Sequence, residues 1–83
     1  MNHLELESMD KNNRLAKLTK LYNRIQRWIQ IHKGQKSPSE MNIANAALRE
    51  IEEITLKVEN DENYPLSKHC MKRLNYLWKC YKV

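Results

Sequence analysis

Lys17, Lys20, Arg24 and Arg27 follow one another at three- and four-residue intervals, and the chemistry that spacing offers is electrostatic rather than covalent. A helix turns by about 100° per residue, so these four cations fall within about 80° of one another and form one positive strip. Such a strip suits phosphate groups or an acidic protein surface. Lys68, Lys72, Lys79 and Lys82 repeat the arrangement on one face, with Asn75 among them. Trp28 and Ile31 border the first strip and Tyr76 the second. Aromatic rings beside cations are a means of gripping unpaired bases. Core packing is the plainer use of Trp28 and Trp78, since tryptophan is highly buried on average. Ile31 lies in line with the cations, which makes it a contact residue or one covered by a second copy of the chain.

Acids are kept away from these strips. The 26 residues from Lys11 to Lys36 hold eight Lys or Arg and neither Asp nor Glu. Charge alternates in blocks along the chain: −3 over residues 1–10, +8 over 11–36, −5 over 37–63 and +5 over 64–83. Lys and Arg on a helix ordinarily just solvate its outer face. Like charges at these intervals nevertheless cost about 0.2–0.5 kcal/mol per pair, which interleaved glutamates would have reversed. Glutamate is used freely at positions 50, 52, 53 and 59. Its exclusion from two segments favours a surface made for a partner.

Other chemistries lack their residues. His69 and Cys70 are adjacent and point in different directions on a helix, and His3 and His32 stand at no ligand spacing to them, so no metal is expected. Adjacency likewise gives no Cys–His nucleophile. A single glycine, Gly34, cannot build a phosphate-binding loop. Glu50, Glu52 and Glu53 read as solvent-facing carboxylates. Cys70 and Cys80, ten residues apart on one helix, would stand roughly 15 Å apart, too far for a disulfide, and are expected as reduced thiols. No cofactor and no catalysis are expected.

The elements that position the strips are three helices. The first spans about 10–33: Leu15, Leu18, Tyr22, Ile25 and Ile29 form an apolar stripe, widened by Leu21 and Trp28, and Gly34 stops it. The second spans about 38–59 and is announced by Ser37-Pro38-Ser39-Glu40, a capping box with proline at the first helical position. Behind it Met41, Ala44, Leu48, Ile51, Thr55 and Val58 make the stripe, with Ala47 and Ile54 beside it. Asn60 to Pro65 reads as a turn. The third helix covers about 66–82, with Cys70, Leu74, Leu77 and Tyr81 on its apolar face and Met71 and Trp78 flanking.

Short connections between three amphipathic helices predict one all-α domain over residues 1–83, a small antiparallel three-helix bundle. Residues 1–9 are expected as a flexible N-terminus or a frayed extension of the first helix. Leu, Ile and Val number 18 and Phe is absent, so the core is thin and a partner or a homo-oligomer is a reasonable expectation. No secretory leader opens the chain and no apolar run approaches the roughly 18 residues of a membrane span, which predicts a cytoplasmic protein without membrane insertion. Two long helices without a compact recognition helix argue against a helix-turn-helix.

In size and in its Lys-, Asn- and Ile-rich composition the whole chain looks like the small accessory proteins that bacteriophages make to bind and block host factors. That likeness implies a non-enzymatic binding protein. The expectation is a basic face that binds RNA, or another nucleic acid, with low sequence specificity. The alternative is an inhibitor or adaptor docking its basic helices on an acidic partner.

Overall fold

The computed structural model describes residues 11–61 and 63–82. They form α1 (Lys11–His32), α2 (Pro38–Asn60) and α3 (Lys68–Cys80). The expected segment 1–9 lies outside the described residues.

Each helix boundary has a local cause. Past the end of α1, the Gln35 and Lys36 amides donate to the His32 carbonyl at 2.9 and 3.3 Å. Gly34, just before these two donors, takes φ 86°, a left-handed conformation that side chains disfavour. Ser37 then caps α2: its Oγ accepts from the Glu40 amide at 3.3 Å and donates to Glu40 Oε1 at 3.3 Å. Asp61 ends α2 and folds the following turn, accepting from the Asn63 amide on Oδ1 at 3.0 Å and from the Tyr64 amide on its carbonyl at 3.0 Å.

The third helix is shorter than its sequence pattern suggests, Lys68–Cys80 in place of about 66–82. Ser67 explains the start, since its Oγ accepts from the Cys70 amide at 3.0 Å. The end follows from Tyr81, whose φ −106°, ψ 54° leaves the helical region.

Cross-helix contacts define the topology. Tyr22 Oη donates to Glu52 Oε1 at 2.7 Å and Arg14 Nη1 to the Tyr64 carbonyl at 2.8 Å, so α1 and α2 run antiparallel. Arg24 meets Trp78 and Tyr81, and Trp28 also meets Tyr81, so α3 returns parallel to α1. Arg73 links α3 back to Glu50 of α2. The packing is uneven: α1 lies tightly against α2, whereas α3 touches α1 sparingly and α2 more sparingly still.

Leu18, Leu21, Ile25, Ala44, Ala47, Leu48, Ile51, Val58, Met71, Leu74, Leu77 and Tyr81 form the core. Leu21, which the stripe placed at an edge, is fully buried, while Leu15 and Tyr22 are only half-buried. Met71 is buried and Cys70 half-buried, reversing their expected rank. Both shifts have one cause, namely that a helix packed against two neighbours turns its contact arc toward the angle between them. Burial of each large aliphatic side chain contributes about 1.5–3 kcal/mol.

Candidate functional site

On α1, Arg24 reaches α3 while Tyr22, about 160° round the helix, reaches α2. The strip that contains Arg24 therefore runs along the α3 side of α1. On α3, Trp78 marks the edge that meets α1, and Lys68, Lys72 and Lys79 stand opposite Leu74 and Tyr81. By rotation Lys68 and Lys79 fall between Lys72 and the Trp78 edge. Both strips thus lean onto the outer face shared by α1 and α3. Neither helix carries an acid, and every described carboxylate belongs to α2 or to Asp61 just after it.

Lys20, Arg27, Lys68, Lys72 and Lys79 are exposed, and Lys17 is half-buried. None of these six has an ion-pair partner among the described residues. Two of the acids on α2 are engaged elsewhere. Glu50 accepts from Arg73 Nε and Nη2 at 3.1 Å, and Glu52 accepts from Tyr22. Six cations, with no carboxylate paired to them among the described residues, give the face a strong positive potential.

Arg24 has a different use from the one its spacing suggests. Its guanidinium carbon lies 3.9 Å from the centre of a Trp78 ring, and its Nε donates to the Tyr81 carbonyl at 3.0 Å. That carbonyl belongs to the residue that caps the C-terminus of α3, where backbone acceptors lack helical donors. Arg24 is therefore a clasp between α1 and α3, with its charge lying within the face rather than projecting from it.

Trp28 is half-buried and packs edge-on against Tyr81, ring centres 4.9 Å apart at 83°. Its other neighbour, the His32 ring, lies 4.5 Å away. His32 Nδ1 donates to the Trp28 carbonyl at 2.9 Å; since a carbonyl can only accept, that nitrogen carries the proton. Trp28 and Trp78 thus belong to the seam between helices. Ile31 and Tyr76 remain open, 50% and 58% exposed. Tyr76 lies on the flank of the α3 lysines that turns away from α1, with the Arg73 guanidinium 5.7 Å from its ring. A hydrogen bond and charge repulsion from Cys80 hold the Tyr76 hydroxyl above its ordinary pKa, so the phenol stays neutral.

The clasp and the ion pair were not visible as motifs. Arg24 and Trp78 are 54 positions apart and share no spacing rule. Arg73 did leave a signal: it falls about 100° off the strip of Lys68, Lys72 and Lys79, toward another helix.

Among the described residues no helix is long and apolar enough to cross a membrane, and no three His, Cys, Asp or Glu side chains gather as a metal-binding group. Cys70 and Cys80 carry free thiols. Compared with known proteins, the chain matches no family model, no curated protein and no solved structure.

Proposed function

We propose that the protein is a non-enzymatic nucleic-acid binder whose α1–α3 face engages phosphates with low sequence specificity, RNA being the favoured ligand. The observation that supports this most is the placement of Lys17, Lys20, Arg27, Lys68, Lys72 and Lys79 on one face without a carboxylate on either helix. Tyr76, exposed beside the α3 lysines, offers a base-stacking ring.

The test is a gel-shift titration with mixed-sequence single-stranded RNA at several salt concentrations. With about four phosphates engaged, log affinity should fall against log salt with a slope of about −3 to −4. Lys20→Glu with Arg27→Glu should abolish the shift while leaving the helical circular-dichroism signal intact. A slope near zero would refute the reading.

A second reading is favoured by the seam itself. Trp28 and Trp78 are half-buried against other side chains, which leaves the face with more charge than stacking surface. A cationic face of that kind also fits a carboxylate-rich protein, in keeping with the accessory-protein likeness in size and composition. Pull-down after nuclease treatment separates the two: a stoichiometric protein complex that survives nuclease supports this reading, and one that dissolves supports the first.

A further inference from the structure

A groove of about 390 Å³ opens between α1 and α2 on the side turned away from α3. Tyr22 and Leu56 supply its apolar walls over the buried Leu18, and Glu52 and Glu59 its carboxylates. Its polar groups are largely spent within the chain: Thr55 Oγ1 donates to the Ile51 carbonyl at 2.7 Å, and Tyr22 Oη to Glu52 at 2.7 Å. Leu56, in the last two turns of α2, is 58% exposed at the groove, on the side of the helix away from the buried Leu48, Ile51 and Val58. Neither Glu52 nor Glu59 has an ion-pair partner among the described residues. An apolar trough edged by two carboxylates calls for an apolar side chain carried among cations.

The chain carries that feature itself. Ile31 is 50% exposed, in line with Lys20 and Arg27 and two residues before Lys33. It lies about 180° round α1 from Tyr22, so it cannot enter the groove of its own copy. We propose that the groove receives Ile31 and its neighbouring cations from a second copy of the chain, in a head-to-tail assembly. Because the two surfaces differ, the contact is heterologous: each added copy leaves one groove and one Ile31 free, and growth continues unless the rotation closes a ring. Solvent-exposed ion pairs at the edge make the assembly sensitive to salt.

Two substitutions at exposed positions test this without disturbing the core. Ile31→Asp spoils the plug and keeps the groove; Leu56→Asp spoils the groove and keeps the plug. Sedimentation velocity in low salt should show the wild-type mean mass rising with protein concentration, and high salt should return it to the monomer. Each variant alone should be a monomer with unchanged helicity, and an equimolar mixture of the two should form a one-to-one pair, since one good groove and one good plug remain. A wild-type protein that stays monomeric in low salt would overturn the proposal and leave the groove to a basic segment of another protein. Self-association that persists in either single variant, or a mixture that stays monomeric, would overturn it equally.

Discussion

Arg24 Nε donates to the Tyr81 carbonyl at 3.0 Å while the same guanidinium lies 3.9 Å from the centre of a Trp78 ring, so one side chain of α1 holds both the last turn and the aromatic edge of α3. A hydrogen bond from a charged donor contributes about 1.5–3 kcal/mol, and a cation over an indole about 0.5–2 kcal/mol. The two share one group and do not add fully. Arg24→Ala should therefore lower the urea-unfolding free energy by about 2–3 kcal/mol, whereas Arg27→Ala, one exposed position along the same strip, should change it by less than about 0.5 kcal/mol. Equal effects would show that Arg24 is no clasp.

Leu21 is fully buried between α1 and its two neighbours, and Leu15 is half-buried toward the helix start. Leu21→Ala should cost about 2–5 kcal/mol and Leu15→Ala clearly less, measured by thermal or urea unfolding. A reversed order would place the contact arc of α1 elsewhere.

Ser67 caps a helix of only 13 residues, too short to persist on its own propensity. Ser67→Ala should destabilise by about 0.5–2 kcal/mol, and Ser67→Asp should restore most of the loss because aspartate caps as well as serine. Unfolding midpoints followed at 222 nm read both.

Besides Tyr76, three acids titrate late in the folded protein. The Tyr22 hydroxyl, donating to Glu52, is raised above 10.0; burial raises Tyr81 above 10.0 and the Cys70 thiol above 9.0. Each binds its proton more tightly folded than unfolded, so its contribution is complete below the unfolded pKa and is lost as pH rises through the folded value. Stability should fall steadily from about pH 9 upward, and Tyr22→Phe should make that fall shallower above about pH 10. A pH-independent midpoint across this range would contradict the Tyr22–Glu52 bond.

Cys80 is exposed and Cys70 is half-buried with a thiol that burial pushes up. Alkylation by iodoacetamide under native conditions should label Cys80 well before Cys70, as read by mass spectrometry of the peptides. Equal rates would mean that α3 opens freely.

The helices were legible because each carries its apolar residues at helical intervals and two strong stops, Gly34 and the Asp61–Pro65 turn, separate them. Periodicity identifies a face, yet it does not say how many neighbours share it. That is why Leu21 and Met71 moved to the centre of the core. Ser67 stood in plain view after Pro65 and Leu66, but a serine two residues past a proline fits a turn as well as a cap. The basic strips were legible as strips, since rotation alone places Lys17, Lys20 and Arg27 together. The fate of Arg24 was not, because it depends on which helix lies alongside, and a contact across 54 positions leaves no local trace.

The uneven packing of the three helices has a consequence for how the protein breathes. Tight α1–α2 pairing joins neighbours in sequence, while α3 is held only sparingly by the other two helices. Local opening should therefore release α3 first as a cooperative unit, leaving the α1–α2 hairpin behind. Amides of Leu74 and Leu77 should then exchange with solvent hydrogen sooner than those of Leu21 and Ile51. Each such opening carries Lys68, Lys72 and Lys79 away from Lys20 and Arg27. An anion bridging both helices would slow that exchange by holding the two halves of its own site together.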